Sequence, residues 1–189
     1  MGLFGPGSGG NVSQQGSSVQ DRVLVILNPA ARHGMAGRLR PALAREVEAR
    51  PRWSMVVTSG PSEAASYASS TEDIDVILAV GGDGTVHEIV NGIMARAAGD
   101  RPLLAIVPSG SGDDYATMLG LPSSVPDCLA ILDERNSRCL DVGCCNGTYF
   151  MNSLSIGLDA RVTARVTQLQ ETTIQTGLCL LYTSPSPRD

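Results

Sequence analysis

Lysine is absent: all 14 basic residues of the 189-residue chain are arginine. The lysine that reaches the phosphates in a Gly-x-x-x-x-Gly-Lys loop therefore has no counterpart, which excludes a P-loop. No apolar run approaches the roughly 20 residues that a membrane-spanning helix needs. Residues 1–20 hold neither a basic start nor an apolar stretch, so they do not read as a signal peptide. Pro6 also spoils the myristoylation pattern that Met1-Gly2 would otherwise begin. The segment is rich in Gly, Ser and Gln, and the expectation is a disordered tail. Cys-x-x-Cys spacing is missing too. The five cysteines (Cys128, Cys139, Cys144, Cys145, Cys179) read as thiols of a reducing cytosol rather than metal ligands. A net charge of −5 without a basic stripe argues against a nucleic-acid partner. Aromatics make up only 4%, so the core must come from aliphatic residues, as in ordinary globular domains. The length suits one domain burying roughly 70% of its unfolded surface, with room for the start of another.

What is present centres on Val76–Gly92. Val76–Val80 is a five-residue apolar run, short and β-branched enough for a strand buried on both faces. Gly81, Gly82 and Gly84 then bracket Asp83, allowing a sharp turn and a close ligand approach. From Thr85 on, Val86, Ile89, Val90 and Ile93 recur at helical spacing. A strand, a glycine turn and a helix N-terminus form an anion site, because free N–H groups and the helix dipole face the loop. A lone carboxylate there suits a metal ion bridging phosphates, or the polarising of an attacking hydroxyl. The plain alternative is a structural glycine turn that happens to contain an Asp.

The same pattern occurs twice more. Arg22–Leu27 reads as a strand and is followed by Asn28-Pro29-Ala30-Ala31-Arg32-His33-Gly34, then a helix over about Leu39–Arg50 with Pro41 in its first turn. Arg32 offers a phosphate-binding cation, and His33 reads as a solvated loop residue. Leu103–Val107 is another short strand, leading into Pro108-Ser109-Gly110-Ser111-Gly112-Asp113-Asp114-Tyr115-Ala116. Between these lie a strand over Trp53–Thr58 and a helix reaching Ser70, with Ser59 or Ser62 as its cap. Val125–Asp133 predicts a short helix. Arg138–Val142 and Thr148–Leu154 predict paired strands around Asn146-Gly147, a strong hairpin signal. Asp159 is either a helix cap or a site residue.

Gly81-Gly82-Asp83-Gly84-Thr85 resembles the nucleotide-binding signature of the diacylglycerol kinase catalytic domain family, which includes bacterial lipid kinases and sphingosine kinases. NAD kinases and phosphofructokinases carry related loops. Asn28-Pro29 resembles the family's first phosphate-contacting element, although the expected Ser-Gly is displaced. Pro108–Ala116 resembles Pro-x-Gly-Thr-x-Asn-Asp-Phe-Ala, with Ser111 for Thr, Asp113 for Asn and Tyr115 for Phe. The run from Gly147 to Ala160 resembles the lipid-kinase branch and argues against an NAD kinase.

The resemblance implies an α/β, three-layer Rossmann-like domain, the catalytic domain over residues 21–168, without the family's β-rich C-terminal domain and its general base, so phosphoryl transfer by this chain is expected to be impaired or lost. It implies ATP and Mg2+, with Asn28, Pro29, Arg32, Thr58, Gly81, Gly82, Asp83, Gly84, Thr85 and Ser111 binding the nucleotide. Asp83 would serve as the catalytic residue and the metal ligand. A lipid substrate, transient contact with a membrane surface and a cytoplasmic, membrane-peripheral location follow, with a homodimer as one option. The ending Cys179–Asp189 is similar to translated sequencing-adapter DNA, so residues 169–189 are expected to be the end of a truncated frame. The competing readings are an NAD kinase-like enzyme and a nucleotide-binding module without catalysis.

Overall fold

Aliphatic strands alternating with helices can close a parallel sheet, since each parallel neighbour needs a crossover long enough to hold a helix. The computed structural model describes residues 21–158, 160–162 and 165. Among these, β1 (Val23–Leu27), β2 (Trp53–Val57), β3 (Val76–Gly81) and β4 (Leu103–Pro108) form one sheet in the order β2-β1-β3-β4. Every pairing is parallel, with Leu27 opposite Val57 and Val80, and Gly81 opposite Pro108. The crossovers hold α1 (Arg40–Ala49), α2 (Glu63–Ser70) and α3 (Asp83–Met94), and β4 runs on to α4 (Asp114–Leu119) and α5 (Val125–Asp133).

Alternation along the two central strands explains why they are apolar throughout. Val23, Val25 and Leu27 join Val76, Leu78 and Val80 on one face, against Leu43 of α1 and Cys128 and Leu129 of α5. Leu24, Ile26, Ile77 and Ala79 point the other way, onto Ala64 and Ala68 of α2, Val86 and Ile89 of α3, and Tyr115 of α4. The result is a three-layer α/β fold. Each fully buried Leu or Ile in these layers stabilises it by about 1.5–3 kcal/mol. Glycine lets one layer close up: a Cβ on Gly92 would lie 2.4 Å from the Ala65 carbonyl oxygen, so α2 and α3 approach where that side chain is missing.

Two local expectations need correction. Ser62 occupies the position before α2 but has φ +67° and makes no capping bond through its side chain. Glu63 folds back instead, accepting from the Ser59 N–H at 2.8 Å and the Ser59 hydroxyl at 2.6 Å, while Glu88 accepts from the Ser62 N–H at 3.0 Å. The hairpin forms, but its strands are β5 (Gly143–Cys145) and β6 (Thr148–Phe150), not 138–142 and 148–154. Asn146 and Gly147 both have positive φ, so the turn spans only two residues and pairs Cys145 directly with Thr148. Turn geometry, not the apolar run ending at Val142, sets the register. Smaller shifts put the start of α3 at Asp83 instead of Thr85, and the end of β2 at Val57.

The chain divides into two compact units, Met1–Asn152 and Ser153–Asp189. The second includes helical positions at 158, 160–162 and 165. Asp159, the tail over 1–20 and the segment 169–189 lie outside the described residues.

Candidate functional site

Because the strands are parallel, the residues following them gather at one edge of the sheet. Asn28 follows β1, Thr58 follows β2, Gly81 ends β3, and Ser111 lies three residues beyond β4. Strand order reverses between β1 and β3: the chain runs outward from β1 to β2, then returns across β1 to β3. Open α/β sheets place their ligand crevice outside the carboxyl ends at such a reversal.

Here the Asn28 amide donates to the Thr85 hydroxyl at 2.9 Å, tying the end of β1 to the first turn of α3. Its oxygen accepts from the Ala30 N–H at 3.0 Å and so shapes the loop through Pro29. Thr85 is buried, and a Cβ on Gly81 would lie 2.4 Å from its hydroxyl oxygen, so the turn needs glycine at that position. Thr58 is also buried and directs its hydroxyl to the Leu27 carbonyl at 3.4 Å. It therefore supports the end of β1 from the side.

The two glycine turns touch backbone to backbone. A Cβ on Gly82 would sit 2.8 Å from the Gly110 Cα, and one on Gly110 would sit 2.5 Å from the Gly82 Cα. Carboxylates brace this contact from both sides. Asp83 accepts from the Asp114 N–H at 3.2 Å and the Tyr115 N–H at 3.1 Å, so it holds the start of α4 from across the turn. Asp113, with φ +54°, accepts from the Gly110 N–H through both oxygens, at 2.8 and 3.0 Å. Burial pushes the Asp113 carboxyl above the usual range; the Gly110 N–H opposes the shift, Asp83 adds to it, and Arg32 pulls it back. Arg32 is exposed, with φ +52°, in the loop after β1. Ser111 and Gly84 are exposed, and a Cβ on Gly84 would meet no atom within 4 Å.

The structure therefore brings Asn28, Gly81, Gly82, Asp83 and Thr85 into one bonded cluster and leaves Gly84 and Ser111 facing open space. Sequence reasoning singled out Asp113 without the contact it makes, and it missed Glu88 and Asn91, which hold neighbouring segments and not the glycine turns. Asp113 braces the second turn, and Glu88 holds the Ser62 N–H. Asn91 donates from its amide to the Tyr149 carbonyl at 3.0 Å and accepts from the Tyr149 N–H at 2.9 Å. The one visible signal for Asn91 was an amide between the buried residues Val90 and Gly92 of α3.

Helices on both faces of a parallel sheet, with glycine turns abutting beyond β3 and β4, define an α/β domain of the class that takes its ligands outside the carboxyl ends of the strands. Residues 22–145 match the diacylglycerol kinase catalytic domain, and the chain belongs to that family. It is 39% identical over 127 residues to a protein named YegS-like lipid kinase from Chromohalobacter salexigens, covering 66% of this chain and 41% of that protein. A diacylglycerol kinase of Staphylococcus aureus is 32% identical over 137 residues, covering 71% of this chain and 43% of its own length. A solved diacylglycerol kinase structure from Bacillus anthracis superposes with a TM-score of 0.59 at 31% identity, over 70% of this chain and 48% of the other. The chain thus spans less than half the length of these relatives.

Proposed function

We propose that this chain carries the nucleotide-binding part of an ATP-dependent lipid kinase that transfers the γ-phosphoryl group to a diacylglycerol-like hydroxyl. The observation that carries the reading is the contact between the Gly82 and Gly110 turns at the carboxyl ends of β3 and β4, beside the strand reversal, with open space over Gly84. Phosphate oxygens would lie against the N–H groups that begin α3, which have no partner within a helix. Asn28 and Thr85 fix that turn through their shared hydrogen bond, while Arg32 and Ser111 supply charge and a hydroxyl from the flanking loops. Thr58 and Pro29 act from behind, by shaping the end of β1.

Each oxygen of Asp83 accepts one N–H and keeps a lone pair, which fits a single ligand to magnesium. Among the described residues no three His, Cys, Asp or Glu side chains are grouped to hold a metal, so phosphate and water would complete the shell, as magnesium sites commonly do. Bound magnesium would neutralise charge on the transferring phosphoryl group. A lipid acceptor implies transient contact with a membrane surface, and the proposed location is cytoplasmic and membrane-peripheral. Among the described residues no helix is long and apolar enough to cross a membrane.

Calorimetric titration of Mg-ATP into wild type and Gly84→Ala tests the nucleotide part. Alanine in the first turn of a helix should raise stability by about 0.5–1 kcal/mol. The same methyl group should occupy ligand space and weaken Mg-ATP by about tenfold or more. No uptake by a well-folded wild type would end the nucleotide reading. Uptake without labelled phosphate appearing on dioleoylglycerol in mixed micelles would make this chain a nucleotide-binding module without catalysis.

A further inference from the structure

An edge strand presents unpaired N–H and C=O groups along its free side. In β6 both main-chain groups of Tyr149 point away from β5, because residues of an antiparallel pair alternate in direction and Cys144 opposite makes no claim on them. Asn91 meets both. Its side chain donates to the Tyr149 carbonyl at 3.0 Å and accepts from the Tyr149 N–H at 2.9 Å, imitating one residue of a further strand. A second bond from the same amide nitrogen to the His87 carbonyl at 2.9 Å fixes the Asn91 side chain on α3. Asp83, Asn91 and Gly92 all belong to this one helix. Its first residue holds α4, Gly92 admits α2, and Asn91 holds the hairpin from which the chain continues beyond Phe150.

We infer that Asn91 is a positioning residue for the acceptor side of the proposed site: it locks the β5–β6 hairpin to the helix that begins at Asp83. The inference rests on the lipid-kinase reading for its functional consequence, but the lock itself can be judged without it. Asn91 lies two helical turns from Asp83 and touches neither glycine turn, so its loss should spare the nucleotide side.

The experiment compares wild type, Asn91→Leu and Asn91→Asp. Leucine keeps the approximate volume and removes both bonds; aspartate keeps an acceptor for the Tyr149 N–H and loses the donor. Amide hydrogen exchange should accelerate about tenfold or more in 143–150 for the leucine variant and less for the aspartate variant, with Val80 and Val107 unchanged. Mg-ATP affinity should stay within about twofold, while the KM for dioleoylglycerol in mixed micelles rises about tenfold. Unchanged hairpin exchange in Asn91→Leu overturns the lock, and parallel losses of Mg-ATP affinity and acceptor use overturn the selective role. A wild type that takes up no Mg-ATP would remove the kinase reading and the acceptor role with it, and one that takes up Mg-ATP without transfer to dioleoylglycerol would overturn the acceptor role alone; in either case the exchange comparison decides the lock.

Discussion

Asp83 has one observed role and one proposed role, and they separate by substitution. Its carboxylate would serve a metal-bound nucleotide, yet it already accepts the N–H groups of Asp114 and Tyr115. Asp83→Ala should therefore cost about 1–2 kcal/mol of stability, as removal of a helix cap does, besides abolishing transfer. Asp83→Asn retains an acceptor oxygen and should recover about half of that loss without recovering activity. Urea denaturation beside a transfer assay reads both quantities. Stability equal to wild type in Asp83→Ala would show that the bonds to α4 contribute nothing. The capping role was not legible beforehand, because donor and acceptor are 31 and 32 residues apart. The glycines were legible, since a buried strand running straight into Gly81-Gly82-Asp83-Gly84 has few structural solutions.

At the scale of elements, α3 is the member against which others are set. Gly92→Ala forces a methyl group to within 2.4 Å of the Ala65 carbonyl oxygen and 2.7 Å of the Ala68 Cβ. Backbone cannot yield as a flexible side chain would, so α2 should move off α3 at a cost of about 1–3 kcal/mol, seen as a lower urea midpoint with an unchanged slope. A variant as stable as wild type would mean that this helix pair is loosely packed. Strand and helix positions were readable because period-two and period-3.6 apolar patterns are local, and Val125–Asp133 comes out with the expected bounds. The hairpin strands were misplaced because the apolar residues Leu140 and Val142 looked like strand, whereas the two-residue turn at Asn146-Gly147 dictates the partners. The helix cap at Ser62 failed for a similar reason: a left-handed residue does not have the extended backbone that a side-chain N-cap requires.

Across the whole molecule, acid should weaken the fold at the amino-terminal end of the sheet. Asp75, just before β3, accepts from the Arg22 N–H at 2.8 Å, its Nε at 3.1 Å and its Nη2 at 3.0 Å, joining the starts of β1 and β3. Hydrogen bonding to the Arg22 side chain holds the Asp75 carboxyl below its usual value despite partial burial. Its native pKa is thus lower than its unfolded one. The associated stability is present above the unfolded value of about 3.9 and disappears as pH falls through the native value. Asp75→Asn should be less stable than wild type near pH 7, with the gap narrowing below about pH 4. A gap independent of pH would assign the loss to packing instead. Arg22 also pairs with Asp73 at 3.0 Å, but Asp73 is almost fully exposed, so that bond adds little.

The meeting of Gly82 and Gly110 has a consequence for how this chain can change. Where two side chains interlock, enlarging one can be offset by trimming the other. Between these turns there is nothing left to trim, since each α-carbon already fills the space the other would need to grow. Second-site suppressors of Gly82→Ala or Gly110→Ala should therefore not arise at the opposing glycine, and any rescue must come from displacing β3 or β4 as a body.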